Sequence, residues 1–273
     1  MKQRREEAAK SRRPFASEGT DGYFRDQPVE LHMPTVDILG IPIHQLDREK
    51  LLWRLRERQE AGLSTWLVTA NAELIVRAGD NPTLARALRG ADLLVADGSG
   101  VIWAARTLGT PLPERIPGVE IAEDLIKWAA SEGLKVYFLG AEPGVAKTAV
   151  AQLRTKYPGL TVVGYHHGYF SKDEEQGIIE EISNLRPDIL LVALGAPRQE
   201  LWLAEHTSHL GVSLAVGVGG SLDVWAGRVK RAPAWMGNRG LEWLYRLITQ
   251  PWRAKRMLAL PVFVYRVMKT KGR

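Results

Sequence analysis

The sequence predicts an α/β fold, built on a mostly parallel β-sheet with helices on both faces. Apolar runs typical of strands alternate along the chain with segments whose apolar residues have helical spacing. This alternation favours a parallel sheet, because each crossover between parallel strands normally carries a helix. The predicted strands are continuous apolar runs, which indicates that both faces of the sheet are covered.

The predicted strands are short apolar segments that end at glycine or polar residues. In chain order they cover 36–43 (a strand or a hairpin), 65–71, 92–98, the start of 135–159, 161–170, the start of 187–206 and the start of 213–227. The rest of 213–227 is expected to be a loop.

The predicted helices have apolar residues three and four positions apart. They cover 47–62, 81–91, 118–133, 171–186 and the second halves of 135–159 and 187–206, and a further helical pattern follows Gly100. Gly62 and Gly133 close two of them, as glycine commonly does at helix ends.

Composition places the chain among ordinary globular proteins, with 273 residues of which 45% are hydrophobic and 25% charged. The absence of cysteine excludes disulfides and thiolate metal sites and favours a reducing compartment. We expect no secretory signal, and no apolar run reaches the ~20 residues that span a bilayer. Residues 1–33 mix charges with Gly, Ser and Pro, which predicts a disordered tail before a core over 34–227.

The positive charge is concentrated at the C-terminus. Residues 228–273 hold twelve Lys and Arg against one acid, a net +11, whereas the whole chain carries +6. Six aromatic residues accompany these charges. A basic, aromatic segment is typical of surfaces that bind anionic lipid or nucleic acid, although a charged run can also be a solvated helix face.

Common nucleotide-binding and metal motifs are missing. The stretch "GAEPGVAKT" lacks the phosphate-loop spacing, and "GVGG" does not continue as the dinucleotide fingerprint. A dehydrogenase or phosphate-loop ATPase is therefore disfavoured. The sequence has no Asp-x-Asp motif, and adjacent His166 and His167 are expected on opposite faces of a strand, so we predict no metal cofactor.

Residues at the ends of the predicted strands are the candidates for a site. Ligands of parallel α/β sheets bind beyond the carboxyl ends of the strands. The residues expected to share this edge are Thr69, Asn71, Asp97, Gly140, Gly195 and Gly219.

Asp97 ends a buried strand and is followed by two glycines with a serine between them. Its carboxylate could cap the next helix by accepting a backbone hydrogen bond. Alternatively, the glycines leave room for a substrate hydroxyl, and the carboxylate could then act as a general base. Thr69 and Asn71 end another strand and would lie near it.

Two further segments carry polar residues toward the same edge. Gln199 lies in the first turn of a predicted helix, where it could bond a sugar or phosphate, while Arg198 could simply be exposed. Arg115 lies in the proline-rich loop "PERIPG" and could reach a diphosphate.

Taken in order, these motifs resemble the WecG/TagA/CpsF glycosyltransferase family over about residues 36–265. The resemblance is carried by "TANAELI", "ADLLVADGSGVIWAAR", "ERIPGVE", "LGAEPGV", "PDILLVALGAPRQELW" and "AVGVGGSLDVWAG". It implies a Rossmann-like core with a C-terminal helical appendage over 228–273 that docks on membranes. It also implies transfer of a sugar from a UDP-sugar donor to a polyprenyl-diphosphate-linked sugar acceptor, with N-acetylmannosamine (ManNAc) moved to undecaprenyl-diphosphate-GlcNAc in two branches and glucose or related sugars moved in others.

The resemblance also implies roles for individual residues. Asp97 matches the proposed catalytic base. The residues that match positions in the substrate pocket are Thr69, Asn71, Arg115, Tyr169, Gln199 and Asp223. Arg246, Arg253 and Arg256 match appendage arginines that would close over the diphosphate, and their spacing puts them on one helical face if a helix continues through Pro251.

The expected partners are therefore the UDP-sugar, the lipid-linked acceptor and an anionic membrane surface on the inner face of a bacterial cell membrane, with no nucleic acid. A nucleotide-sugar epimerase or dehydrogenase would need the missing dinucleotide fingerprint. A nucleic-acid-binding module would leave the polar edge of the α/β core without a role. A homodimer or homotrimer could bury apolar surface near the appendage.

Overall fold

The computed structural model describes residues 33–233, 236, 242–249 and 254–272. The strands are β1 (Thr35–Ile38), β2 (Ile41–His44), β3 (Thr65–Ala70), β4 (Leu93–Ala96), β5 (Lys135–Gly140), β6 (Thr161–His166), β7 (Ile189–Ala193) and β8 (Leu214–Gly217). The helices are α1 (Arg48–Glu60), α2 (Ala72–Asp80), α3 (Pro82–Arg89), α4 (Ser99–Thr107), α5 (Gly118–Glu132), α6 (Val145–Lys156), α7 (Lys172–Leu185), α8 (Arg198–His206), α9 (Ser221–Trp225), α10 (Glu242–Thr249), α11 (Ala254–Met257) and α12 (Ala259–Lys271).

Six strands form one parallel sheet in the order β4-β3-β8-β7-β5-β6, which confirms the predicted sheet. β1 and β2 form a separate antiparallel hairpin. The backbone N–H of Leu94 donates to His44 Nδ1 over 3.0 Å and so ties this hairpin to β4. All parallel strands end at the same edge of the sheet, which is where a ligand would bind.

Helices cover both faces of the sheet, as predicted. Successive strand residues point to opposite faces, so Trp66 and Val68 of β3 belong to one buried cluster and Leu67 to the other. The first cluster includes side chains of α2, α3, α4, α7, α8 and α12, and the second includes those of α1, α5, α6 and α9. Burial on both sides explains why the strands are continuous apolar runs.

The C-terminal helix α12 packs onto the α/β unit. Phe263 and Val267 are 1% and 0% exposed and belong to the first buried cluster. Arg266 fastens the helix to α2, where it donates to Asp80 Oδ1 over 2.6 Å and to the Val76 carbonyl over 3.2 Å. Residues beyond Gly227 thus contribute to the core, whatever else they do.

Two local predictions were wrong, and one helix was not predicted. Helix α2 was not predicted, because the chain passes from β3 into it through Asn71 alone and no loop separates the two elements. β6 ends at His166 rather than Phe170, since the chain turns so that the Gly168 N–H donates to the Ala141 carbonyl over 2.8 Å. The segment after β8 contains α9 and is not only a loop.

The two adjacent histidines do not lie on opposite faces, so that expectation was also wrong. The alternation of the strand stops at His166, and the two rings lie 4.4 Å apart. His166 Nδ1 is 2.8 Å from the carbonyl oxygen of His167, whose own Nδ1 accepts from the Tyr169 N–H over 3.3 Å. The pair therefore shapes the turn after β6.

One prediction concerns residues largely outside the described ranges. The predicted disordered tail, residues 1–33, lies outside them except for Met33, which packs against the second buried cluster. Among the helices that the structure describes, none is long and apolar enough to cross a membrane.

Candidate active site

An open cleft of about 910 Å³ lies at the carboxyl edge of the sheet. Residues at or just beyond the ends of β3, β4, β5, β7 and β8 line it, together with the first turns of α2, α4, α5 and α8. Backbone N–H groups and the positive ends of helix dipoles therefore face the cleft. Such an edge is suited to a ligand with negative charge.

Most of the residues that the sequence proposed for the site line this cleft. They are Thr69, Asn71, Asp97, Arg115, Tyr169, Gln199, Asp223 and Arg256. Arg246 belongs to α10, but its side chain, like all of Arg253, is outside the described part of the chain. The same holds for Pro251, so the proposed common face of the three arginines stays a prediction.

Asp97 is not the N-cap residue of the helix that follows it. α4 begins after Gly98, which has a φ of 97° and supplies no side-chain cap. The Asp97 carboxylate instead accepts a hydrogen bond from the backbone N–H of Gly118, the first residue of α5, over 3.3 Å. Its backbone N–H donates to the Ala70 carbonyl over 2.8 Å, which extends the pairing of β3 with β4.

Thr69, Asp97 and Gly118 converge at one point of the cleft. A Cβ atom added to Gly118 would lie 2.6 Å from Thr69 Oγ1 and 3.5 Å from Asp97 Oδ2. Only glycine lets the start of α5 approach both side chains this closely. The hydroxyl and the carboxylate are thus brought together by three different elements.

Asn71 has a clear structural role beside Asp97. It caps α2, and its Oδ1 accepts from the Leu74 N–H over 2.9 Å. Asparagine is among the favoured residues at this position. Because the cap uses the oxygen of the amide, a contact of Asn71 with a ligand would come from Nδ2.

Gln199 and Glu200 form a buried pair under the cleft, 7% and 4% exposed. Gln199 Nε2 donates to Glu200 Oε1 over 2.6 Å, and Gln199 Oε1 accepts from the Gly219 N–H over 3.2 Å. Burial raises the pKa of the Glu200 carboxyl above its usual range, and the negative charge of Glu73 adds to this effect. Sequence reasoning missed Glu200, which has the spacing of an ordinary helix residue.

Arg198 positions the loop that carries Tyr169. Its Nη1 donates to the Gly168 carbonyl over 2.7 Å, and its guanidinium carbon lies 4.6 Å from the centre of the Phe170 ring. Arg198 is exposed, as the sequence suggested, and it also makes these two contacts. Tyr169 itself is 67% exposed at the mouth of the cleft.

Both basic and acidic side chains line the cleft, and some of them form ion pairs. Arg256 of α11 lies 3.8 Å from Glu73 of α2, so the C-terminal segment reaches the α/β core at the cleft. Arg231, which also lines it, forms an ion pair with Glu120. Sequence reasoning did not single out Glu73 or Arg231, although the clustering of basic residues after Gly227 pointed to the region.

Over the described ranges of the chain, no group of three or more His, Asp or Glu side chains is arranged to hold a metal ion.

The chain is also similar in sequence to known proteins. The sequence model of the glycosyl transferase WecG/TagA/CpsF family matches residues 36–273. Curated relatives named N-acetylglucosaminyldiphosphoundecaprenol N-acetyl-beta-D-mannosaminyltransferase occur in Staphylococcus aureus. Those of strains NCTC 8325 / PS 47, COL and MRSA252 are each 33% identical over 238 residues, which is 86% of this chain and 93% of the relative.

Proposed function

Since the chain belongs to the WecG/TagA/CpsF family of glycosyltransferases, we propose that it transfers ManNAc from UDP-ManNAc to undecaprenyl-diphosphate-GlcNAc with formation of a β-1,4 bond. Such a product would serve wall teichoic acid or a related cell-surface polysaccharide. The observation that carries the proposal is the Asp97 carboxylate beside Thr69 at the carboxyl edge of the sheet. The printed name of the Staphylococcus aureus relatives supports the choice of sugar and acceptor.

The proposed chemistry is a single displacement at the anomeric carbon. UDP-sugars of this kind are α-linked, so a β product requires inversion and no covalent enzyme intermediate. Asp97 accepts the proton of the attacking hydroxyl while that oxygen forms the new bond to the anomeric carbon. The bond from this carbon to the diphosphate breaks at the same time, and UDP departs with the electron pair.

The departing diphosphate gains negative charge, which must be stabilised. Arg115 and Arg256 line the cleft, and the first turns of α5 and α8 open onto it. Guanidinium groups and helix N-termini both bind phosphate well. We therefore propose that the reaction proceeds without a metal cofactor.

The lipid-linked acceptor suggests that the enzyme works at a membrane surface. The α12 helix exposes Val262, Val264, Tyr265 and Met268, and Leu258 just before it is exposed too. Basic residues flank this helix, as in segments that rest on anionic membranes. Peripheral attachment to the cytoplasmic leaflet is part of the proposal.

Product analysis tests this function directly. The full-length protein is incubated with a synthetic lipid-diphosphate-GlcNAc and, separately, UDP-ManNAc, UDP-GlcNAc and UDP-glucose. We expect a disaccharide with a β-1,4 bond from UDP-ManNAc only. Transfer from UDP-glucose alone would contradict the proposed sugar and favour a role in exopolysaccharide assembly, and no transfer from any UDP-sugar would contradict the proposed function.

A further inference from the structure

Glu200 is a buried group of the cleft to which the mechanism above gives no role. Glu200 lines the cleft and is 4% exposed. Its Oε1 accepts from Gln199, but among the residues that the structure describes its Oε2 has no hydrogen-bonding partner. Buried polar atoms nearly always have such a partner, so an orphan at a binding site points to a ligand atom that completes it.

The surroundings of Glu200 hold the neighbouring amide in one orientation. Gln199 Nε2 donates to Glu200, and Gln199 Oε1 accepts from the Gly219 N–H. A Cβ atom on Gly217 would lie 2.5 Å from this Nε2, so the amide packs directly on the backbone at the end of β8. Glu200 therefore lies at the floor of the cleft, beside an amide that is held in one orientation.

The protonation of Glu200 and the hydrogen-bonding groups of the ligand decide which part of a UDP-sugar would contact it. The charges of Glu73 and Arg77 on α2 both act on this carboxyl, and Glu73 is itself paired with Arg77 and Arg256. A phosphate oxygen only accepts hydrogen bonds, so it could bond Oε2 only when Glu200 is protonated. A sugar hydroxyl both donates and accepts, so it can bond this oxygen in either protonation state.

We propose that Glu200 binds the donor sugar, with Oε1 fixing the Gln199 amide and Oε2 forming a hydrogen bond with an uncharged hydroxyl or acetamido group of that sugar. This assignment rests on the proposed function, since it requires a UDP-sugar in the cleft. It makes Glu200 a determinant of the affinity for the sugar and leaves the affinity for the UDP part unchanged.

Two variants of similar size separate this role from simple packing. Glu200→Gln keeps an acceptor for Gln199 and replaces Oε2 by an amide group that can still bond a sugar oxygen. Glu200→Met keeps the length of the side chain but removes both polar atoms. The measured quantities are the dissociation constants of UDP and UDP-ManNAc by titration calorimetry, and kcat and KM for transfer.

We expect Glu200→Met to bind UDP as wild type does and to bind UDP-ManNAc about tenfold more weakly, the loss expected for one hydrogen bond. Glu200→Gln should stay close to wild type in both. Equal binding of UDP-ManNAc by the wild type and Glu200→Met would overturn the assignment and leave the proposed function intact. Failure of the wild type to bind any UDP-sugar would contradict both.

A second measurement uses the wild type, in case Glu200→Met does not fold. Infrared difference spectra are recorded on adding UDP-ManNAc or UDP, and the band of the Glu200 carboxyl is identified by its absence in Glu200→Gln. We expect this band to shift with UDP-ManNAc and not with UDP. A band that stays in place with UDP-ManNAc, or that shifts equally with UDP, would contradict contact with the sugar.

Discussion

The Asp97 carboxylate accepts a hydrogen bond from the backbone N–H of Gly118 across the cleft, although 21 positions separate the two residues in the chain. This bond joins the end of β4 to the start of α5 and orients the carboxylate beside Thr69. A backbone N–H can hold a carboxylate in place without protonating it. The geometry thus suits a residue that must accept a proton from a substrate.

Asp97→Asn tests the proposed base. The Asn oxygen can still accept from the Gly118 N–H, so we expect normal folding and normal binding of UDP. Transfer should fall ~10²–10⁴-fold, because the amide cannot take up the proton of the acceptor hydroxyl. Single-turnover assays measure the chemical step, and an unchanged rate there would remove Asp97 from the mechanism.

Gly118→Ala tests the close approach of α5 to Thr69 and Asp97. The added methyl group would lie 2.6 Å from Thr69 Oγ1, so the threonine or the helix must move. We expect a loss of ~1–3 kcal/mol in the free energy of unfolding, as for other overpacked sites, together with reduced transfer. Denaturant titration and transfer assays measure the two effects.

The control for this variant is Gly177→Ala, the same change inside α7. A Cβ atom at Gly177 would meet nothing within 4 Å. Alanine is the better helix former by about 0.5–1 kcal/mol, so this variant should be slightly more stable with unchanged transfer. Equal behaviour of the two variants would show that Gly118 has no special role.

Arg256→Gln and Arg266→Gln distinguish a role of the C-terminal segment in the active site from its attachment to the α/β core. Arg256 lines the cleft, whereas Arg266 ties α12 to Asp80 and the Val76 carbonyl. Loss of Arg256 should cost under about 1 kcal/mol of stability, because its contact with Glu73 is an exposed pair. Transfer should nevertheless fall ~10²–10³-fold, as when a group that stabilises developing charge is removed.

Arg266→Gln should show the opposite pattern, a lower unfolding midpoint with kcat close to that of the wild type. Thermal denaturation and steady-state kinetics on both variants measure this. A normal kcat in Arg256→Gln would show that the C-terminal segment does not act on the diphosphate.

Much of the cleft could be predicted because strand ends are visible in the sequence. Asp97 and Asn71 each interrupt an apolar run at the point where a buried strand must stop, and parallel strands bring such points to one edge. Register then sets Asn71 next to Asp97, since Ala70 pairs with Ala96. The order of the strands along the chain and the rule for parallel sheets are enough to predict that Asn71 and Asp97 lie at the same edge.

Contacts between distant segments could not be predicted in the same way. Nothing in the local sequence indicates that the Gly118 N–H meets Asp97, or that Glu200 lacks a partner for one oxygen. Residues 228–273 were expected to form an appendage that docks on membranes, but Phe263 within them is buried in the core. Amphipathic spacing does not distinguish a helix face that meets lipid from one that meets protein.

Chelation of metals tests the proposed stabilisation of the leaving diphosphate. Arginines and helix N-termini face the cleft, and the sequence has no Asp-x-Asp motif. We expect transfer to be unchanged after dialysis against EDTA and in assays that contain EDTA. Activity that disappears with EDTA and returns with Mg²⁺ or Mn²⁺ would contradict the proposal that no metal takes part.

The two sides of α12 give the test of membrane attachment. Phe263 is 1% exposed, whereas Tyr265 and Met268 are 66% and 52% exposed on the same helix. Phe263→Ala should lower the free energy of unfolding by ~3–5 kcal/mol, the usual loss for a buried aromatic side chain. The double variant Tyr265→Ser/Met268→Ser should leave stability nearly unchanged, because neither side chain is part of the core.

Vesicle binding should respond in the reverse order. An apolar helix face adds affinity in proportion to the area that enters the lipid, and each nearby basic residue adds about 1 kcal/mol on an anionic surface. We therefore expect the double variant to bind phosphatidylglycerol vesicles about tenfold more weakly in sedimentation assays. High salt should also weaken vesicle binding by the wild type, since it screens the charges of the basic residues around α12. If the double variant sedimented with vesicles as the wild type does, the exposed side of α12 would not be the membrane-binding surface.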